Sequence, residues 1–329
     1  MRGVRYTGFG IKVEVIQSMA DNRIHRLLAA IDASRLSANL FHLCKSPLPF
    51  RKLNYTLPGH KNSTLDEADE FIQTQLGEWG YAVRREGVRV QAFRRDESKP
   101  KAHQYSKPDP GDPWYTAHNL YAKRTGTERP EEIILICAHK DSQSWVDSPG
   151  GYDNAVGTVA LLEMARVLSH RPPLCSIFFL FCNEEHTPWT SVTAAQAAKT
   201  RGDNIIAVFN TDSLGGKSRA DLDAGRKTNA TLYTTPEGRR LAELMGEVNE
   251  EYAIGLEQSV YKRQQPGDDD GSFVNAGFPA AIVNVGSHPY ANPDYHLETD
   301  VPELVDILNV TMATQAILAA VLTVVRDGL

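Results

Sequence analysis

Cysteine is scarce in this sequence, and its scarcity limits the kinds of site that the chain can build. Only four cysteines occur among 329 residues, namely Cys44, Cys137, Cys175 and Cys182. No C-x-x-C pair is present, which is the close spacing that thiolate metal sites use. Three of the four lie in or beside apolar runs, where cysteine behaves as a small hydrophobe. We therefore predict buried free thiols and no thiolate-bound metal.

Long apolar runs and a strong excess of one charge are also missing. No apolar run reaches the roughly 18 residues that a membrane-spanning helix needs, so we expect no membrane partner. The formal net charge is -6 and no long basic stripe occurs, which argues against a nucleic-acid partner. The residues after Arg2 and Arg5 do not form the apolar core of a secretory signal. We therefore expect a cytoplasmic location.

The composition that is present is that of an ordinary globular protein, with 41% hydrophobic and 23% charged residues. The length suits one large α/β domain, and no repeat or compositional break divides it. We predict a single domain over residues 1–329. Residues 1–18 are expected to form a loose tail before Met19, and residues 22–80 to form helices packed on the same domain.

Apolar strands alternate with helices along the chain. The runs at residues 133–138 and 177–182 are apolar on both faces, as in the central strands of a sheet. Further strands are predicted at residues 83–93, 119–122, 205–209, 231–233 and 280–285. Helices are predicted at residues 22–45, 64–79, 155–168, 236–252 and 301–325, and a surface loop at residues 96–114. The pattern indicates a three-layer α/β/α fold with a central mixed, mostly parallel sheet.

Acidic and imidazole side chains occur where the predicted strands end or the helices begin. In open α/β sheets the carboxyl ends of the strands share one edge, where ligands bind. Five separate loops supply such side chains there: His139, Asp153, the pair Glu184 and Glu185, Asp212, and His296. We therefore expect these groups to converge on one edge of the sheet.

Carboxylate and imidazole ligands without thiolate suit zinc, or another borderline divalent ion such as cobalt or manganese. Five ligands are too many for one catalytic zinc, which keeps about three protein ligands and an open position. They suit two metal ions that share one carboxylate and a readily deprotonated water. A glutamate left over beside a ligand glutamate is then the natural general base.

The full set of motifs resembles that of the M28 family of zinc exopeptidases over roughly residues 115–325. The motifs are His139-x-Asp141, Gly151-x-Asp153-Asn154, Glu184-Glu185, Asn210-Thr211-Asp212 and Tyr295-His296. The helices predicted before residue 80 also resemble the N-terminal helices of that fold. The resemblance implies a metal-dependent exopeptidase, in particular an aminopeptidase that acts on a peptide or a small aminoacyl substrate.

The resemblance also implies a role for each ligand. His139 and Asp212 would hold one zinc ion, Glu185 and His296 would hold the other, and Asp153 would bridge the two. Two zinc ions per chain follow from this assignment.

The same resemblance assigns a base and a supporting group. Glu184 would take a proton from the attacking water and return it to the leaving amine. Asp141 would orient the ring of His139. Lys140, between these two motif residues, departs from the family, and we expect its charge to point away from the metals.

The substrate pocket is where the sequence departs furthest from the family. Asp270 stands where histidine is common, and residues 186–190 replace the usual Gly-rich continuation after the glutamate pair. Asp269, Tyr290 and Trp189 are our candidates for substrate contacts.

Two other functions fit the same fold. A glutaminyl-cyclase-like acyltransferase would use one zinc ion and release ammonia, although residues 153–157 and 292–296 are more similar to the peptidases. A binding module without activity would lack ligands or the base. All five ligands and the base are present here, which argues against that alternative.

Overall fold

The computed structural model describes residues 22–170 and 172–329, so the prediction for residues 1–18 lies outside the described residues. The strands are β1 (Arg84–Ala92), β2 (Arg94–Arg95), β3 (Tyr105–Ser106), β4 (Tyr115–Arg124), β5 (Arg129–His139), β6 (Cys175–Cys182), β7 (His186–Thr187), β8 (Asn204–Thr211), β9 (Thr228–Tyr233), β10 (Glu257–Lys262) and β11 (Ala281–Val285). The α-helices are a helical stretch at residues 22–28, α1 (Ala33–Cys44), α2 (Thr64–Glu78), α3 (Val156–Leu168), α4 (Thr190–Arg201), α5 (Arg219–Asp223), α6 (Pro236–Glu251), α7 (Asp268–Ala276) and α8 (Ile307–Asp327).

Nine strands form one mixed sheet in the order β10-β9-β11-β8-β5-β6-β4-β1-β7. At its centre β11, β8, β5 and β6 run parallel to one another. On one side β4 and β1 continue the sheet antiparallel, and on the other side β9 is antiparallel to β11. The carboxyl ends of the four central strands therefore meet at the same edge of the sheet.

Helices cover both faces of this sheet. Along β5, Ile134 and Ile136 belong to the core shared with α3 and α8, whereas Leu135 and Cys137 belong to the core shared with α4 and α7. This alternation follows from the two-residue period of a strand. The predicted three-layer α/β/α class is confirmed, and the four cysteines are buried and free, as the sequence predicts.

Contrary to the expectation from the sequence, helix α8 is long and apolar enough to cross a membrane, by length and composition only. However, 72% of its most apolar part is buried inside the fold. A core helix of an α/β protein has this same pattern, because it is packed against apolar neighbours on most sides.

The structure differs from the predicted elements in several places. The single helix predicted at residues 22–45 is broken, because the side chain of Asp32 caps a new helix by accepting from the backbone N–H groups of Ser34 and Arg35. Helix α4 has few large apolar residues, so its sequence gives no clear periodicity. Two further elements are absent from the prediction, namely helix α7, which begins with three aspartates, and β10, a polar strand at the sheet edge.

A buried ion pair joins helix α2 to the end of β5. Lys140 Nζ lies 2.7 Å from Asp69 Oδ1, and both side chains are almost fully buried. Lys140 Nζ also donates to Asn183 Oδ1 at 2.8 Å. Burial raises the pKa of Asp69 to about 6, although the Lys140 ammonium lowers it. The Lys140 ammonium is thus paired with Asp69 of α2 and with Asn183, which directly follows β6.

We predict that Asp69→Asn destabilises the fold by about 3–5 kcal/mol, because it leaves the Lys140 charge buried without a counter-ion. The double variant Asp69→Asn/Lys140→Met should recover much of this loss, since no unpaired charge remains. Urea unfolding followed by circular dichroism measures both. As a control, Arg240→Ala breaks the exposed pair with Glu247 and should cost at most about 1 kcal/mol. Equal losses in the three variants would contradict this account.

Candidate metal centre

The carboxyl-terminal edge of the sheet places the predicted ligands together. His139 is the last residue of β5, and Asp212 directly follows β8. Glu185 follows β6 by three positions, in the short connection to β7. Asp153 lies in the turn Gly151–Ala155 that leads into α3. The fifth predicted ligand, His296, lies in the loop between β11 and α8, with a φ of 61°, in the left-handed region.

The five side chains form two groups that share Asp153. One group is His139, Asp153 and Asp212, and the other is Asp153, Glu185 and His296. Within each group the potential ligand atoms all lie within 4.8 Å of one another. The convergence expected from the sequence is therefore present in the structure.

The two oxygens of Asp153 face different histidines. Oδ1 lies 3.2 Å from Nε2 of His139, and Oδ2 lies 3.1 Å from Nε2 of His296. Nε2 of His139 is also 3.5 Å from Asp212 Oδ1, and Nε2 of His296 is 3.5 Å from Glu185 Oε1. This is the geometry of two adjacent imidazole–carboxylate sites with one carboxylate between them.

The charges in this cluster fit a metal centre. Three carboxylates are buried or nearly so, with 15% of the Asp212 side chain exposed, and no lysine or arginine forms an ion pair with them among the described residues. Burial lowers the pKa of His296, but the neighbouring carboxylates Glu185 and Asp153 raise it to about 10. The carboxylates therefore hold the imidazole as a cation. A divalent ion would supply that positive charge and release the proton.

Asp141 connects the chain segments that carry the predicted metal ligands. Its two oxygens accept from the backbone N–H groups of Glu184 and Glu185, each at 2.9 Å. Oδ2 also lies 2.8 Å from Nδ1 of His186, and Oδ1 lies 3.4 Å from Nδ1 of His139. Burial alone would raise the pKa of Asp141, but the two histidines hold it well below its usual range. One ionised side chain thus ties the end of β5 to the loop after β6.

Gln143 is a site residue that the sequence reasoning missed. Its Nε2 donates to Asp153 Oδ2 at 2.9 Å and to Glu185 Oε1 at 2.8 Å, and the side chain is fully buried. The amide thus holds two predicted ligands at a fixed separation. The only signal for it in the sequence is its position two residues after Asp141.

The loop that carries Asp153 is fixed from two sides. The carboxylate of Asp300 accepts from the backbone N–H groups of Tyr152 and Asp153 at 2.9–3.1 Å. Asn154 Nδ2 donates to the carbonyl oxygen of Thr211, next to Asp212, at 2.8 Å. The next turn contains Gly157, where a Cβ would come within 2.3 Å of the same oxygen, so only glycine allows this close approach.

Glu184 lies beside the ligands without joining either group. Its backbone N–H donates to Asp141, and its Oε2 is buried with no hydrogen-bond partner among the described residues. Burial, followed by the charges of Asp269 and Asp268, raises the pKa of Glu184 well above its usual range. The geometry leaves a carboxylate free to exchange a proton beside the candidate metals.

The candidate substrate residues lie at different depths. Asp269 is fully buried, and its Oδ2 accepts from the thiol of Cys182 at 3.0 Å. Tyr290 and Trp189 are half-buried. In the segment at residues 186–190, which replaces the Gly-rich continuation of the family, His186 packs inside the fold against Asp141. These three substrate roles stay predictions.

Asp270, which replaces a common histidine of the family, is also buried. It forms an ion pair with Arg263, which also contacts Asp268 at 2.6 Å. The Arg263 side chain is only 13% exposed. Its ion pairs hold the start of α7 against the end of β10.

Comparison with known proteins is consistent with this centre. The model of peptidase family M28 matches residues 119–321 of the chain. A probable zinc metalloprotease of Pyrenophora teres f. teres is 24% identical over 331 residues, which cover 88% of this chain and 64% of the relative. The chain thus spans less than two thirds of the length of the first curated relatives it matches.

Solved structures share the fold. An aminopeptidase from Aneurinibacillus sp. strain AM-1 superposes with a TM-score of 0.69 at 14% identity, covering 91% of this chain and 95% of that protein. A glutaminyl cyclase of Bacteroides thetaiotaomicron superposes with a TM-score of 0.67 at 15% identity, covering 89% and 98%. At these identities the two similarities establish the architecture, which a peptidase and a cyclase have in common.

We predict that Asp141→Asn lowers the affinity for divalent metal by about 10–100-fold, as loss of a supporting partner does. The new amide places N–H donors against the donors that Asp141 now accepts from, so the loop after β6 and His139 lose their common support. Competition with a zinc-binding dye measures the affinity. Asp223→Asn, which changes an exposed carboxylate in α5, is the matched control. Unchanged metal affinity in Asp141→Asn would show that Asp141 does not support the predicted ligands.

Proposed function

The chain belongs to peptidase family M28, and on that premise we propose that it is a zinc-dependent exopeptidase that removes N-terminal residues from peptides. The observation that supports this most directly is the position of Asp153 between two imidazole–carboxylate pairs. A single-metal enzyme needs only one such pair. We therefore assign two zinc ions to each chain, with Asp153 as the shared ligand.

The bound zinc ions would polarise the scissile carbonyl and lower the pKa of the attacking water. The chain's own residues fix where this happens. Gln143 and Asp141 hold the ligand loops, so the positions of the carboxylates are set before the substrate arrives. Such preorganisation matters because the site does not have to rearrange as charge develops in the transition state.

Glu184 is the general base in this proposal. It accepts the proton of the attacking water and returns it to the nitrogen of the leaving amine. Its Oε2 has no other hydrogen-bond partner among the described residues, so a proton can be received there. Two cations beside the carboxylate would lower its pKa from the raised value of the ion-free protein, and the carboxylate would then be ready to act as a base.

The acidic residues at the start of α7 suit a substrate with a free α-amino group. Asp268 and Asp269 are close enough to Glu184 for their charges to affect its pKa. A positively charged amine bound there would relieve the repulsion among these carboxylates. This supports an aminopeptidase over a carboxypeptidase, which would have to bind a negatively charged terminus on the same acidic wall.

A glutaminyl-cyclase-like acyltransferase is the second candidate, since a protein of that name shares the fold. The two functions differ in metal count and in product. A panel of peptides with free or blocked ends tests them together. We expect cleavage only where the N-terminus is free, with release of the first amino acid. Release of ammonia from N-terminal glutamine without peptide cleavage would instead identify the cyclase.

Metal content gives a second test. We expect about two zinc ions per wild-type chain by elemental analysis, since the two ligand groups share one carboxylate. Glu184→Gln should keep both ions but lower turnover of an aminoacyl reporter by about 10²–10⁴-fold, the usual contribution of a general base. The neighbouring variant Glu185→Gln is the matched comparison and should lose about one ion. Activity that survives Glu184→Gln would rule out this base.

A further inference from the structure

A segment far from His296 in the sequence contacts the side chain of this predicted metal ligand. We define the strap as residues 93–106, which leave the end of β1, form β2 and return as β3. Its two strands pair antiparallel, and the 3-10 turn Lys101–His103 lies at its tip. The sequence predicted only a surface loop over most of this segment. The strap also lies outside residues 119–321, the part matched by the family model.

The tip of the strap contacts His296 through a backbone carbonyl. Nδ1 of His296 lies 2.8 Å from the carbonyl oxygen of Ala102. Because a carbonyl oxygen only accepts, Nδ1 must carry the hydrogen and donate it. In the neutral imidazole the free lone pair is then on Nε2, which faces Asp153 and Glu185. The strap therefore selects the tautomer that a metal ion requires.

Aromatic rings fix the orientation of the His296 imidazole. Trp145 and Tyr105 meet it edge-on, with centroids 5.1 and 5.8 Å away and interplanar angles of 87° and 81°. Phe93, at the base of the strap, lies 5.5 Å from Tyr105 and 5.8 Å from Trp145. Tyr295 stacks on the imidazole at 3.7 Å. The strap thus supplies two of the four rings of the aromatic cluster around this ligand.

Polar contacts keep the strap in place. Lys99 Nζ donates to the carbonyl oxygen of Tyr105 at 2.6 Å and so joins the two sides of the strap. Arg95 Nη1 lies 3.6 Å from Glu298 Oε1, two residues beyond His296. Both pairs are largely exposed, so each stabilises the strap only weakly. The aromatic packing and the hydrogen bond of Ala102 are the stronger contacts.

The other half of the centre is held differently. Nδ1 of His139 faces Asp141, which belongs to the same strand end, at 3.4 Å. Over the part of the chain that the structure describes, no hydrogen bond, ion pair or ring contact joins the strap to His139 or Asp212. The support that the strap gives is therefore restricted to the half that contains His296.

We propose that the strap is a positioning element that sets the metal affinity of the Glu185–His296 half alone. The inference rests on the proposed two-metal function. Supporting contacts of a ligand histidine contribute about 10–100-fold in metal affinity. Loss of the strap's packing should therefore weaken binding of the ion next to His296 by about this factor and leave binding on the His139–Asp212 side unchanged.

Tyr105→Ala tests this inference, with Tyr105→Phe as its matched control. The alanine variant removes the ring that meets His296, whereas the phenylalanine variant keeps that ring and removes only the hydroxyl. Zinc is titrated into metal-free protein against a competing chelator, and the two binding steps are fitted separately. We expect Tyr105→Ala to weaken one step by about 10–100-fold, with the other step unchanged, and Tyr105→Phe to match the wild type in both.

The titration separates failure of the inference from failure of the proposed function. If the wild type binds only one zinc ion, the two-metal function is wrong. If the wild type binds two and Tyr105→Ala binds both with unchanged affinity, or weakens both steps equally, the strap has no selective role. Zinc titration of His296→Ala identifies which step belongs to which half.

Hydrogen exchange of the wild-type protein gives a test that needs no folded strap variant. Coupling between two sites is reciprocal. If the strap increases the metal affinity of the His296 half, metal bound there should stabilise the strap by the same free energy and so slow exchange of its backbone amides. We expect saturating zinc to slow exchange of peptides from residues 96–106 in the wild type but not in His296→Ala. Equal slowing in both proteins would contradict the proposal.

Discussion

The carboxylate of Asp153 lies close to two others, those of Asp212 and Glu185, and this proximity constrains the whole of this edge of the molecule. Two unit charges 4 Å apart repel by about 4 kcal/mol at the effective dielectric of a protein site, and ligand atoms of Asp212 and of Glu185 each lie within 4.8 Å of one of Asp153. Positive charge relieves this repulsion. The two histidines supply it as imidazolium in the ion-free protein, and the same side chains would become neutral ligands if divalent ions bound.

The rest of the fold serves to keep these charges in place. Parallel central strands bring four chain segments to one edge, and Asp141 and Gln143 bind the resulting loops to each other. The Lys140–Asp69 ion pair also joins the end of β5 to helix α2. The Lys140 ammonium is directed away from the predicted metal ligands, as expected from the sequence. His296 needs a further supporting contact, because it lies in the loop between β11 and α8 and not directly at the end of a central strand. The strap provides it.

The sequence was sufficient to predict the fold class and the convergence of the ligands, because both depend on local patterns. Fully apolar strands mark the centre of the sheet. A polar residue directly after such a strand therefore lies at the edge of the sheet where the carboxyl ends meet. Gln143 and the strap could not be predicted in this way. Their roles arise from contacts between residues such as Ala102 and His296, which are 194 positions apart, and no periodicity encodes such a contact. Helix α7 was missed for a related reason, since the burial of Asp270 depends on its partner Arg263.

Anomalous diffraction at the zinc edge from crystals grown with zinc tests the two-metal centre most directly. The account predicts two peaks about 3.5–4 Å apart, on either side of the Asp153 carboxylate. One peak should lie next to His139 and Asp212, and the other next to Glu185 and His296. A single fully occupied peak in zinc-saturated crystals, with His296 or His139 left without a metal, would contradict it.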